Sequence, residues 1–157
     1  MTTSTRRVVL LLLGVTAAFV GTWAYFAPES WYATFPGPGH HWLPVLGPYN
    51  QHLAKDVGAM YLALTALSIA TATRPQDTFT TRITGTTWTV FNTLHLIYHL
   101  QHLNMYQPTD QALNAITLSL LTIASTALLL PHKTTTDLQK YQPHSHSSGP
   151  RPALAPL

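Results

Sequence analysis

The 157-residue chain contains no cysteine, which excludes disulfide frameworks, thiolate nucleophiles, iron–sulfur clusters and cysteine-ligated zinc together. Any metal must sit on histidine, carboxylate, methionine or amide ligands. Charge is nearly as scarce. Only 8% of residues are Asp, Glu, Lys or Arg, about a third of the roughly 25% usual in soluble domains, against 46% hydrophobic residues. That composition argues against an ordinary water-soluble domain. Five acids against eight Lys and Arg give a formal charge of +3 and an isoelectric point near 9.4. The basic residues are scattered and form no patch or stripe, so nucleic acid is set aside as a partner. No internal repeat is evident.

What the chain does have is apolar length. Val8 to Phe26 runs 19 residues without a charge, and at about 1.5 Å per residue it covers a hydrocarbon core of roughly 30 Å. Arg6 and Arg7 raise the alternative of a secretory leader, and Thr5-Arg6-Arg7-Val8-Val9-Leu10 gives a partial twin-arginine pattern. The run is long for a leader and closes on Trp23, Tyr25 and Phe26 rather than an Ala-x-Ala site, so it reads as an uncleaved anchor. Further spans are expected at about 52–73, 83–103 and 112–130, with Arg74-Pro75 and Pro131 as stops. The third is interrupted by Thr84, Thr86, Thr87, Thr89, Asn92 and several histidines, and should prefer protein neighbours to lipid.

Residues 27–50 hold Pro28, Pro36, Pro38, Pro44 and Pro48 among Trp31, Tyr32, Phe35, Trp42 and Tyr49. Proline breaks hydrogen-bond ladders and aromatic rings favour the headgroup zone. An outer loop without regular helix, lying on the bilayer and capping the bundle, is therefore expected. From His132 the chain turns polar and rich in Pro, Ser and Thr, which predicts a disordered cytoplasmic tail over 132–157. The expected fold class is an all-α integral membrane four-helix bundle over 1–131, multi-pass in the cell membrane. Orientation follows from Lys and Arg: Arg6, Arg7, Arg74, Arg82, Lys133, Lys140 and Arg151 fall on one side and only Lys55 on the other, which places both termini in the cytoplasm.

With that topology His40, His41, His52, Asp56, His95, His99, His102 and Asp110 gather in the outer half of the bundle. Spacings of four and three put His95, His99 and His102 on one helical face. His95 lies about 12 Å inside Leu103, deep enough that it must find a partner. His52 and Asp56, four apart, share a face at the outer start of the second span, where a carboxylate can orient an imidazole or complete a metal shell.

A metal site on these residues suits zinc, copper(II) or non-haem iron. A proton-shuttle site uses His52 and Asp56 as coupled base and acid on a lipophilic substrate. Haem lacks its paired histidines on facing helices, and a membrane di-iron oxygenase needs more histidine boxes than this one. The structural alternative is that the histidines bond Thr, Asn and backbone groups and hold helices together, each contact worth about 0.6–2 kcal/mol. His144 and His146 in the tail make no strong metal pair. Antiparallel packing of the second and third spans would bring His52 or Asp56 within ligand or hydrogen-bond reach of His99, so His52, Asp56, His95 and His99 are expected to form one site.

Phe26-Ala27-Pro28 with Tyr32 and Phe35-Pro36, then Tyr49-Asn50-Gln51-His52-Leu53-Ala54-Lys55-Asp56-Val57-Gly58 and the later His95 and His99, resembles a group of small four-helix actinobacterial membrane proteins. More broadly the chain resembles DoxX-like proteins, over most of residues 8–130. The resemblance implies a four-helix membrane bundle, in some cases associated with redox partners, and brings no established catalytic residues. The functional expectation is an outward-facing His/Asp site that binds a transition metal or handles protons, as the small subunit of a membrane redox system. Two rivals stand beside it: a non-catalytic accessory subunit packed against another membrane protein, and a membrane isomerase or cyclase acting on a lipophilic small molecule.

Overall fold

The computed structural model describes residues 1–131, and the expected tail over 132–157 lies outside them. Among the described residues the chain is all-helical: α1 (Thr3–Phe26), α2 (Pro28–Thr34), α3 (Gln51–Thr73), α4 (Thr78–Gln101) and α5 (Pro108–Ala127), with 3-10 turns at Pro44–Leu46 and Leu103–Met105. The four long helices match the four expected segments with shifted ends. Side-chain caps set those ends rather than the limits of apolar composition. Thr2 accepts from the Thr5 amide and starts α1 five residues before Val8. Asp77 accepts from the Phe79 and Thr80 amides and starts α4 five residues before Ile83. Asn50 caps α3 through the Leu53 amide at 3.1 Å.

The expectation of no regular helix in 27–50 is corrected by α2. Pro28 sits in its first turn, where a missing N–H costs nothing, and the prolines that follow lie beyond its end.

Helices α1 and α3 run antiparallel at close range, and so do α4 and α5. Gly58 is what permits the first approach. A Cβ on Gly58 would lie 2.6 Å from the Tyr25 nitrogen, closer than atoms tolerate, and one on Gly14 would lie 3.2 Å from Ser68 Cβ. The two hairpins meet through buried polar contacts: Thr71 to Thr84 at 2.7 Å, and the Trp88 indole N–H donating to Ser68 Oγ at 2.8 Å. Within the second hairpin Asn92 Nδ2 donates to the Leu121 carbonyl at 3.2 Å and to Ser125 Oγ at 3.3 Å. Leu10, Leu13, Ala17, Leu64, Trp88 and Leu128 form the core beside these contacts.

The first turn of α1 closes this end of the bundle. Arg6 is fully buried; its Nη1 donates to Thr78 Oγ1 at 3.3 Å and its Nη2 to the Leu130 carbonyl at 3.0 Å. Arg7 donates to the Ala72 carbonyl at 3.3 Å, and the Met1 ammonium to the Pro131 carbonyl at 2.7 Å. The exits of α3 and α5 thereby receive positive charge where helix dipoles favour it.

Outer faces of α1, α4 and α5 expose large apolar side chains such as Leu12, Val15, Val90, Leu94, Leu120 and Ile123, while Ser68, Thr71, Thr81, Thr84, Asn92, Asn114 and Ser125 are buried. By length and composition α1 and α3 can cross a membrane; α4 and α5 fall short of that composition.

This packing makes stability depend on two positions in particular. Gly58→Ala should destabilise the detergent-solubilised protein by about 1–3 kcal/mol, the range for overpacking, and clearly more than Gly14→Ala. A reversed order in thermal melts would deny Gly58 its role. Arg6→Met leaves the Leu130 carbonyl and Thr78 hydroxyl without their donor and should cost about 1–3 kcal/mol, while Arg7→Met, at an exposed position, costs less. Equal melting of the two variants would refute the asymmetry.

Candidate functional site

Beyond the polar contacts at Thr71 and Ser68 the two hairpins part, and the space between them is a cavity of about 590 Å³. Helix α3 contributes Ala54, Val57 and Tyr61, which share one face. Helix α4 contributes Asn92, His95, Tyr98 and His99, and α5 contributes Leu113, Asn114, Thr117, Leu118 and Leu121. The roof is α2 and the segment after it, with Trp31, Phe35, Trp42, Leu43 and Tyr49. Among the described residues no Asp, Glu, Lys or Arg lines it.

Aromatic contacts hold the roof. Trp42 is buried and meets Phe35 edge-on at 5.9 Å and Tyr106 at 6.3 Å between ring centroids, and Trp31 meets Phe35 at 6.0 Å. The Tyr32 hydroxyl donates to the Gly47 carbonyl at 2.6 Å, and His41 Nδ1 donates to the Ala33 carbonyl at 2.6 Å. His40 Nδ1 lies 2.6 Å from Asp110 Oδ1 and ties the roof to the first turn of α5. The 27–50 segment thus roofs the cavity, with α2 built into it.

The structure divides the four residues chosen from sequence. His95 and His99 line the cavity as one turn of α4, their rings edge-on at 4.5 Å, with His95 stacked on Phe91 at 5.4 Å. His52 and Asp56 pair with each other at 3.2 Å, are 88% and 61% exposed, and do not line the cavity. The reason is rotational. Gly58 must face α1, and the Ala54–Val57–Tyr61 face then turns inward, leaving residues 52 and 56 on the far side of α3. His102 bonds the Tyr98 carbonyl at 2.7 Å and belongs to the rim.

His99 instead finds Tyr106, whose hydroxyl lies 3.1 Å from its Nδ1. Burial pushes the Tyr106 phenol up to about 12. A phenol protonated at neutral pH donates to Nδ1, which leaves the imidazole proton on Nε2. Gln111 Nε2 donates to the Tyr106 carbonyl at 2.9 Å and holds the turn in place. Asn114 is fully buried with its amide near the Tyr106 hydroxyl, yet among the described residues neither its Nδ2 nor its Oδ1 has a partner at hydrogen-bond distance. The Trp31 indole N–H and the Tyr49 hydroxyl also line the cavity and lack partners.

Two imidazoles on one helix supply half of a tetrahedral metal shell. Among the described residues no three His, Asp or Glu side chains are grouped to hold a metal ion, so the donor set for zinc, copper or iron is incomplete there. What the arrangement offers is an apolar chamber with a polar wall of imidazole, phenol and amide. Sequence reasoning missed Tyr106 and Asn114. An asparagine inside an apolar helical run was the signal for the second, while Tyr106 sits in a polar connection with nothing local to mark it.

No family model, no curated protein and no solved structure matches the chain.

Proposed function

We propose that the chain is a four-span protein of the cell membrane, both termini cytoplasmic, that receives a lipophilic small molecule in its outer cavity and exchanges protons with it through His95, His99 and Tyr106. The observation that carries this reading is the cavity itself: about 590 Å³, without charged side chains among its described lining residues, and bordered at one wall by two adjacent imidazoles, of which His99 is in hydrogen-bond contact with a phenol. Apolar outer faces over a polar interior support the membrane setting. So do the two helices of spanning length and the apposition of residue 1 to residue 131 at the arginine-bearing end. The four-helix frame is also what the DoxX-like resemblance implies.

In this reading the imidazole Nε2–H of His99 is the group presented to the ligand. When His99 gives its Nε2 proton to a basic atom of the ligand, Nδ1 takes the Tyr106 proton; the imidazole stays neutral, and the charges rest on a Tyr106 phenolate and the protonated ligand until the proton returns. His95, one turn deeper, sets the second side of the same wall.

Because the chain has no native cysteine, single-cysteine variants test the topology directly. Gly39→Cys and Thr109→Cys should react with an impermeant maleimide from outside, and Gln76→Cys only after permeabilisation; the reverse pattern ends the proposed orientation. For the cavity, mass spectrometry of protein purified in nanodiscs should find a co-extracted lipophile that is lost when Val57→Trp fills the chamber. Identical adducts in wild type and variant would overturn the ligand reading. The nitrogen chemical shifts of His99 should report Nδ1 as the hydrogen-bonded acceptor and move toward the other tautomer in Tyr106→Phe. No change on removing the hydroxyl would remove Tyr106 from the proton path.

A further inference from the structure

Three asparagines line the cavity; Asn50 caps α3, and the two buried ones, Asn92 and Asn114, differ in one respect. Asn92 has its Nδ2 satisfied twice, by the Leu121 carbonyl and Ser125 Oγ, and so joins α4 to α5. Asn114 is equally buried and makes no such join: it lines the cavity near the Tyr106 hydroxyl, and among the described residues neither its donor nor its acceptor has a partner at hydrogen-bond distance. An amide withdrawn from water with neither atom bonded is unfavourable, and a leucine, with the same branched set of side-chain heavy atoms, would carry no such cost. The chain nevertheless places this amide next to Tyr106, the partner of His99.

We propose that Asn114 anchors the head of the lipophile, and that this head is uncharged and carries an acceptor and a donor side by side, as a carboxamide or a protonated carboxyl does. The assignment rests on the cavity-ligand reading above and names its substrate class. Asn114 Nδ2 donates to the head's carbonyl oxygen while Oδ1 accepts from its N–H or O–H, forming a cyclic pair that satisfies both buried atoms at once. A charged head is disfavoured because the wall holds no lysine or arginine to meet a carboxylate and no acid to meet an amine. The apolar remainder of the ligand lies along Val57, Leu118 and Leu121. Bound in this way, the head also reaches the His99 wall.

The test uses the full chain in phosphatidylcholine nanodiscs, with melting followed by tryptophan fluorescence. The probes are cis-9-octadecenamide, cis-9-octadecenoic acid and the matching hydrocarbon cis-9-octadecene. The amide should raise the melting temperature at both pH 5 and pH 8, the acid at pH 5 only, and the hydrocarbon at neither. An acid effect persisting at pH 8 would overturn the uncharged head. Asn114→Leu should melt at or above wild type without a probe, because the unpaired amide is gone, and bind the amide about tenfold or more weakly. If the variant melts lower and keeps the wild-type affinity, Asn114 is structural and the assignment fails while the cavity reading stands. Should Asn114→Leu not fold, the side-chain amide resonance of Asn114 in wild-type protein decides: it must shift with the amide probe and not with the hydrocarbon. A wild type that carries a co-extracted lipophile but is unmoved by all probes overturns the head class alone. A wild type without lipophile and unmoved by probes overturns both readings.

Discussion

The bundle depends on one buried guanidinium. Arg6 reaches from the first turn of α1 to the start of α4 and the exit of α5, while Arg7 beside it takes the exit of α3. A single turn of helix thus gathers the ends of three others. Buried bonds at Thr71–Thr84 and Ser68–Trp88 continue the closure one and two turns further along. No comparable polar join between α3 and α4 exists among the described residues past that point. The hairpins separate, and the opened volume is the chamber.

Buried polar side chains sit beside the apolar core, while much of the outer surface is apolar. Leucine, isoleucine and valine face outward from α1, α4 and α5, while threonine, serine, asparagine and histidine face one another. Close approach and polar pairing join the helices beside that core. The α1–α3 contact at Gly58 and the Thr71–Thr84 bond are the two devices, and each fixes a rotation. The rotation of α3 then decides which of its residues see the chamber.

That rotation explains how much was legible in the sequence. Helix existence was readable because apolar runs and proline stops are local, and the caps at Thr2, Asn50 and Asp77 refine the ends by local rules as well. The face of α4 was readable too, since His95 and His99 share a turn whatever surrounds them. Pairing them with His52 and Asp56 required the angle of α3 about its own axis. That angle is set by Gly58 against Tyr25, a contact between segments more than thirty residues apart in sequence. Depth along the bundle was countable from the chain; azimuth was not. Tyr106 was hidden for the same reason, because its role arises from where the connection folds back onto α4. The short helix α2 was missed for a different one: five prolines were counted together, although the first can begin a helix and only the later ones end it.

The arginine end, closed by direct helix contact, and the aromatic end, closed only by its roof, make the helices around the chamber a lever. From Thr84 to His99 is fifteen residues of helix, about 22 Å at 1.5 Å per residue, so a rocking of about 5° at the Thr71–Thr84 contact moves the histidine wall by about 2 Å. Such a displacement is enough to make or break a hydrogen bond at the wall, achieved with almost no motion at the pivot. The Tyr61–Phe91 edge contact, at 5.3 Å between centroids, lies along this arm and is suited to slide rather than break. The same geometry lets the width of the cavity vary at the histidine wall while the arginine-bearing end stays still.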